Sequence, residues 1–238
     1  MIFTEDFPLI LALDTSTLEE AEGLLDNIEN SLSYVKIGHR LYALGGIPFL
    51  EKTMKRGLNV FLDLKLHDIP NTVSIALEPL MNIGLWSLTL HTAGGREMLE
   101  GAVQTKGRLR SGTLLLGVTV LTSHSPESWE EVNPGCSLQR SLVERARLSA
   151  EVGMDGIVCS PLDLPLINLS GAEGLIRVVP GVRIQEGKDD QKRVTTPGKA
   201  FLDGADYIVV GRPIIKAPDP LLVIQKIREQ YLEVRDGI

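Results

Sequence analysis

The chain has 238 residues, of which 24 are Lys or Arg and 31 are Asp or Glu, so its formal net charge is −7. This acidic balance argues against a sequence-independent nucleic-acid binder, which usually carries a basic surplus. Apolar residues make up 43% of the chain and charged residues 23%, which is typical of a globular protein that buries a core.

Cysteine content and hydropathy bear on the compartment. Cys136 and Cys159 are the only cysteines, too few for a disulfide framework or a cysteine-rich zinc site. No segment approaches the roughly 18 apolar residues of a membrane span. The N-terminus carries acidic residues where a signal peptide carries basic ones. We therefore expect a cytoplasmic protein that binds neither nucleic acid nor a membrane.

Short apolar runs rich in Val, Ile and Leu alternate with stretches of helical spacing along the chain. The predicted strands are 9–13, 34–38, 60–66, 86–91, 113–121, 156–160, 175–179 and 207–210. Helical spacing is clear over 18–28 and 221–234. Strands that alternate with helices predict a parallel sheet with helical crossovers.

The number of strand–helix units indicates which α/β architecture the chain adopts. Eight units leave about 30 residues for each, enough for one strand and one helix, and eight is the number that closes a (β/α)8 barrel. The alternative is an open doubly wound sheet, but the first predicted strand ends in Leu-Asp-Thr-Ser-Thr, without a dinucleotide-binding glycine motif. We predict an α/β protein, a (β/α)8 TIM barrel forming a single domain over residues 1–238.

The most informative segment is Phe-Leu-Asp-Leu-Lys-Leu-His-Asp-Ile-Pro, at 61–70. Side chains alternate along a strand, so Asp63 and Lys65 should point into the barrel while the leucines face the helices. Lys36 has the same parity on the second strand. Burying such charges costs several kcal/mol per ion unless they are paired. We therefore predict alternating carboxylates and ammonium groups that keep a lysine charged beside a ligand.

Asp63 and Lys65 alone would also fit a structural ion-pair network or a solvated strand face. However, Asp14, Lys36 and Asp68 follow or occupy strand ends as well, and the C-terminal ends of barrel strands carry the chemistry of this fold. These five residues are therefore candidates for one catalytic site.

Three other residues invite a functional interpretation. His67 has the parity of the leucines and is expected outside the barrel. His91 ends the fourth predicted strand, where a hydrogen-bonded structural role and a catalytic role are both open. Cys159 is expected to be a small buried residue.

The ends of the seventh and eighth strands predict a phosphate site, as is common in TIM barrels. Gly211 permits close approach of the backbone, and Arg212 supplies a forked donor. The loop at 183–193 is long and polar, as expected of a lid. Arg183 and Gln191 are predicted to reach the phosphate with Arg212, although solvated surface charge is the alternative for the first two.

These motifs resemble those of bacterial-type orotidine 5′-phosphate decarboxylases over nearly the whole chain. The matching stretches lie at 13–14, 36–38, 61–72, 91–95, 120–123, 180–183, 190–191 and 210–213. The third-strand motif is highly specific for that family when Lys36 accompanies it. Val179 and His39 depart from the usual pattern, but neither is a residue assigned to chemistry.

The resemblance implies decarboxylation of orotidine 5′-monophosphate (OMP) to UMP in pyrimidine biosynthesis, without metal or cofactor. It also implies a homodimer in which Asp68 completes the partner's charged site and Ile69 and Thr72 reach into that site. Lys65 would protonate C6 of a carbanion-like intermediate.

The resemblance also implies how the rest of the substrate is held. Asp14 and Lys36 would bind ribose hydroxyls, and Thr122 would contact the pyrimidine, with Ser125 an open alternative. The phosphate would be held by Arg183, Gln191, Gly211 and Arg212.

Three other functions remain alternatives. A magnesium-dependent sugar-phosphate decarboxylase or aldolase shares the Asp-x-Lys-x-x-Asp strand, but it carries a metal-binding carboxylate where this chain has Lys36. An isomerase or epimerase on a phosphate-binding barrel is a further option. A non-catalytic nucleotide-binding barrel would not require a lysine between carboxylates.

Overall fold

The computed structural model describes residues 7–28, 30–183 and 195–237. Within these ranges eight parallel strands close into a barrel in chain order, and the last pairs with the first. The strands are β1 (Leu9–Ala12), β2 (Tyr34–Gly38), β3 (Asn59–Leu66), β4 (Ser87–His91), β5 (Leu114–Val118), β6 (Gly156–Val158), β7 (Ile176–Pro180) and β8 (Tyr207–Val210). The predicted (β/α)8 TIM barrel is confirmed.

The helices follow the strands along the chain, and the segments after β5 and after β8 each hold two helices, of which the first is short. The helices are α1 (Leu18–Asn27), α2 (His39–Met54), α3 (Pro70–Asn82), α4 (Gly95–Leu109), α5 (Pro126–Val132), α6 (Leu138–Glu151), α7 (Leu164–Ile167), α8 (Pro197–Leu202), α9 (Arg212–Ile215) and α10 (Pro220–Asp236). Across the described ranges, none of them combines the length and apolar character required to cross a lipid bilayer.

Several helices begin where the sequence supplies a capping side chain. The hydroxyl of Thr17 accepts a hydrogen bond from the Glu20 amide at the start of α1. The carboxylate of Asp219 accepts one from the Leu222 amide at the start of α10, which has Pro220 in its first turn. These caps satisfy amides that have no partner inside the helix, and the proline has no amide to satisfy.

Two apolar layers fill the protein. The outer layer lies between the strands and the helices and contains Val35, Ile37 and Leu62. The inner layer fills the barrel with Ile10, Phe61 and other side chains of opposite parity. Rings of Tyr34, Trp86 and Tyr207 pack with centroids 4.8 to 5.2 Å apart beside this inner layer.

The predicted fifth strand is three residues too long at its C-terminal end, because β5 ends at Val118. The apolar run continues, since Val120 is buried against Trp129, Leu138 and Leu142. The loop residues buried under α5 and α6 are as apolar as a strand, so the sequence alone did not distinguish them from β5.

Candidate active site

A cavity of about 420 Å³ opens at the C-terminal ends of the barrel strands. This volume is within the usual range for small-molecule sites. The predicted site residues that line it are Asp14, Lys36, Asp63, Lys65, Thr122, Arg183, Gly211 and Arg212. The fold therefore brings together predicted residues that follow or belong to six different strands.

Three other predicted site residues lie near the end of β3 but do not line this cavity. Asp68, Ile69 and Thr72 are exposed, and Asp68 Oδ1 accepts a hydrogen bond from the Ile69 amide at 2.7 Å. Gln191 and most of the predicted 183–193 lid lie outside the described residues.

Four charged side chains form an alternating series along one wall of the cavity. Lys36 Nζ lies 3.3 Å from Asp14 Oδ1 and 3.5 Å from Asp63 Oδ2. Lys65 Nζ lies 2.8 Å from Asp63 Oδ1. Each ammonium group therefore faces a carboxylate, which offsets the cost of removing these charges from water.

Asp63 is the centre of this series, and its side chain is 14% exposed. Burial alone would raise its pKa. The charges of Lys36 and Lys65, together with hydrogen bonds from Lys65 and Thr89, outweigh burial and hold the pKa below its ordinary value. Asp63 is therefore a carboxylate at neutral pH.

The backbone of β3 is irregular where it carries Lys65. The β3–β4 pairing joins Leu62 to Leu88 and then Leu66 to Leu90, so residues 63–65 of β3 lie opposite Thr89 alone. Lys65 has a φ of +50°, in the left-handed region of backbone conformation that residues other than glycine rarely adopt. This bulge ends the regular alternation of β3 at its charged end.

Thr89 contacts both residues of the Asp63–Lys65 pair. Its hydroxyl accepts a hydrogen bond from the Lys65 amide at 2.8 Å and donates one to Asp63 Oδ1 at 3.0 Å. Sequence reasoning missed Thr89, although a signal existed. It occupies the inward parity of the fourth strand, where a polar side chain must face the charged residues of the third.

The part of the cavity formed after β7 and β8 carries positive charge and a close backbone approach. A Cβ on Gly211 would lie 3.1 Å from the Ala12 Cβ, so this position favours glycine. Arg183 is held through its amide, which donates to the Thr195 carbonyl at 2.9 Å. Lys216, which sequence reasoning also missed, lines the cavity beside Arg212. These groups are suited to binding a phosphate dianion.

His91 has a structural hydrogen bond. Its Nδ1 accepts a hydrogen bond from the Ala93 amide at 3.2 Å and so caps the turn after β4. Burial, the charge of Arg145, and then His67 and Lys65 lower its pKa to about 4. The ring is therefore neutral at pH 7.

His67 lies beyond the end of β3 and is exposed, with its ring stacked on His91 at a centroid distance of 5.3 Å. Leu64 and Leu66 pack against the outer apolar layer, whereas His67 comes one residue after the end of β3 and is not part of that layer. Cys159 is fully buried, as predicted.

Thr122 and Ser125 were the open alternatives for a base contact. Thr122 lines the cavity. The Ser125 hydroxyl instead accepts a hydrogen bond from the Ser128 amide and caps α5. This geometry favours Thr122.

The cavity wall does not resemble a metal centre. Within residues 7–28, 30–183 and 195–237, no group of three His, Cys, Asp or Glu side chains is arranged to hold a metal ion. The carboxylates of Asp14 and Asp63 instead face Lys36.

Comparison with known proteins identifies the family. Residues 8–227 match the family described as "Orotidine 5'-phosphate decarboxylase / HUMPS family". The chain belongs to this family. The match covers all eight strands, and the resemblance stated from the motifs is therefore confirmed.

Named relatives agree with this assignment. An orotidine 5'-phosphate decarboxylase of Carboxydothermus hydrogenoformans is 41% identical over 97% of this chain and 96% of its own length. One from Chromohalobacter salexigens is 38% identical, over 96% and 97% respectively. A crystal structure of this enzyme from Lactobacillus acidophilus has a TM-score of 0.83 at 32% identity, covering 95% of this chain and 99% of that one.

Proposed function

We propose that this chain decarboxylates OMP to UMP and CO2, as a carboxy-lyase of pyrimidine biosynthesis that uses no metal or cofactor. The observation that carries the proposal is Lys65, whose ammonium nitrogen lies on the cavity wall 2.8 Å from Asp63. The relatives named as orotidine 5'-phosphate decarboxylases support the choice of substrate.

The chemistry of OMP explains the need for such a lysine. Breaking the bond from C6 to the carboxylate leaves an electron pair in the plane of the ring, where no adjacent carbonyl delocalises it. A fixed ammonium group beside C6 stabilises that charge as it forms. Lys65 then gives a proton to C6, which completes UMP and leaves a neutral amine.

Asp63 has two proposed roles. Its carboxylate pairs with the Lys65 ammonium group and directs that group into the cavity. The substrate carboxylate binds near it, so that repulsion disfavours the ground state and is relieved as CO2 leaves. The lowered pKa of Asp63 supports both roles, because each requires an ionised carboxylate.

The remaining lining residues hold the substrate in our proposal. Asp14 and Lys36 bind ribose hydroxyls, and Thr122 contacts the pyrimidine. Arg183 and the Gly211–Arg212 pair bind the phosphate at the basic end of the cavity. This arrangement orients C6 toward Lys65 and uses binding energy far from the reacting bond.

We further propose that the active unit is a homodimer in which Asp68, Ile69 and Thr72 complete the partner's site. Ile69 is 66% exposed and Ile75 on the following helix is 58% exposed, which leaves apolar surface beside Asp68. Thr72 and Ile75 are three positions apart and so lie on one face of α3, and Ile69 comes directly before that helix as its N-cap. A second copy that covers this face would bring Asp68 toward a neighbouring cavity.

The test is conversion of OMP by protein that has been treated with EDTA and assayed without added metal. We expect UMP and CO2 in equal amounts. The description of the matching family also names a second group, HUMPS. The alternative raised by the sequence, a magnesium-dependent sugar-phosphate enzyme, would leave OMP unchanged. Tight binding of UMP without turnover of OMP would favour the non-catalytic barrel instead.

A further inference from the structure

Thr89 lies in the middle of β4, and its side chain is fully buried. A hydroxyl has one proton to donate and lone pairs that accept. Thr89 uses both capacities, because its oxygen accepts from the Lys65 amide while its proton goes to Asp63 Oδ1. One side chain therefore joins the backbone of the lysine to the carboxylate of the aspartate.

The hydrogen bond to the Lys65 amide replaces a missing strand contact. Pairing of β3 with β4 skips from Leu62 to Leu66, so the ladder provides no regular partner for Lys65. A buried amide without a partner is costly, and so is a left-handed backbone at a lysine. The Thr89 hydroxyl satisfies the amide in this left-handed conformation and thereby stabilises the bulge.

The second hydrogen bond orients the carboxylate. Oδ1 of Asp63 receives hydrogen bonds from Thr89 and from Lys65 Nζ, which leaves Oδ2 facing Lys36 at 3.5 Å. Thr89 therefore helps to determine which oxygen faces which lysine. Rotation of the carboxylate would disturb both ion pairs together.

We infer that Thr89 is a positioning residue, which holds the Lys65 backbone and the Asp63 carboxylate in the arrangement that the reaction requires. Thr89 does not line the cavity and acts through its two neighbours. This inference deepens the proposed function and rests on it for the catalytic consequence, whereas the hydrogen-bond geometry stands without it.

The test compares Thr89→Val, which keeps the shape and removes the hydroxyl, with Thr89→Ser, which keeps the hydroxyl. Removing a residue that orients metal ligands typically costs about 10- to 100-fold in activity, and we take the same range for a residue that orients an ion pair. We expect a fall of that size in kcat for Thr89→Val, with KM for OMP within about twofold of wild type, and near-normal kcat for Thr89→Ser. Thr53→Val, at a buried threonine whose hydroxyl bonds the Phe49 carbonyl, is the matched control.

A second measurement does not require turnover. Carbon-detected NMR titration of Asp63 should show a higher carboxyl pKa in Thr89→Val than in wild type, because a hydrogen bond to the charged form is lost. The acidic limb of kcat/KM should move to higher pH in the same variant. If Thr89→Val does not fold, Thr89→Ala undergoes the same measurements.

Wild-type kcat and an unchanged Asp63 titration in Thr89→Val would overturn the inference. Equal loss in Thr89→Ser and Thr89→Val would also overturn it, because packing rather than the hydroxyl would then be responsible. If wild-type protein does not convert OMP, the proposed function fails, while the Asp63 titration still tests the positioning by Thr89.

Discussion

The ammonium nitrogen of Lys65 lies 2.8 Å from Oδ1 of Asp63, two positions earlier on the same strand. Regular alternation places the two side chains on one face of β3, but Lys65 itself has a left-handed backbone, with φ at +50°. The pair therefore combines ordinary strand parity with a local bulge. The Asp63 carboxylate also contacts Thr89 and Lys36, so its orientation depends on all three neighbours.

Asp63→Asn should lower turnover of OMP by about 10²- to 10³-fold, the cost typical of removing one preorganised electrostatic group. The amide would leave the ammonium groups of Lys36 and Lys65 without the carboxylate between them. Steady-state kcat measurement checks this, with circular dichroism as the test of folding. Turnover close to wild type in folded Asp63→Asn would show that the carboxylate is not needed.

His91 should make the protein less stable as the pH falls from about 6.5 to about 4. Its pKa is about 4 in the folded protein, below the ordinary value of 6.5, so the unfolded chain binds more protons in this window. Urea unfolding at several pH values should show a weaker pH dependence for His91→Asn, whose side-chain oxygen can still accept from the Ala93 amide. Parallel curves for the two proteins would contradict the assignment.

Arg212→Ala should chiefly weaken binding of the phosphate, because this residue lines the cavity after β8, whereas the Asp63–Lys65 pair is on β3. We expect KM for OMP to rise by about 10- to 100-fold, since a charge-assisted hydrogen bond contributes roughly 1.5 to 3 kcal/mol. Added guanidinium should restore part of the activity. Lys216→Ala serves as a comparison and should have a smaller effect. An unchanged KM in Arg212→Ala would place the phosphate elsewhere.

Ile75→Asp should separate the proposed dimer, because a charge would replace a 58% exposed apolar side chain on the proposed interface. Light scattering after size exclusion measures the mass, which should fall to that of one chain. Activity should fall with it, since Asp68 would no longer complete a neighbouring site. Leu202→Asp, at an exposed leucine on α8, is the control and should leave the mass unchanged. A monomeric wild type with full activity would contradict the proposal.

The sequence predicted the barrel and its charged wall because both follow from simple periodicities. Alternation along the third strand separates the leucines from Asp63 and Lys65, and the same parity holds for Lys36. The eight apolar runs gave the strand number correctly. Their ends were less certain, since buried loop residues such as Val120 prolong an apolar run without extending the strand.

The bulge and its consequences could not be predicted in the same way. No glycine marks the left-handed position, because Lys65 occupies it and the neighbouring strand stabilises it through Thr89. That interaction joins residues 24 positions apart in the chain, so local patterns do not contain it. The stacking of His67 on His91 likewise joins residues that are far apart in the chain.

The most direct test of the central claim is the rate of OMP consumption by EDTA-treated wild type and Lys65→Ala, followed by absorbance without added metal. We predict conversion to UMP by the wild type and a loss of many orders of magnitude in a folded Lys65→Ala protein. Conversion at a similar rate by both proteins would refute Lys65 as the proton donor. No conversion by the wild type would refute the decarboxylase assignment itself.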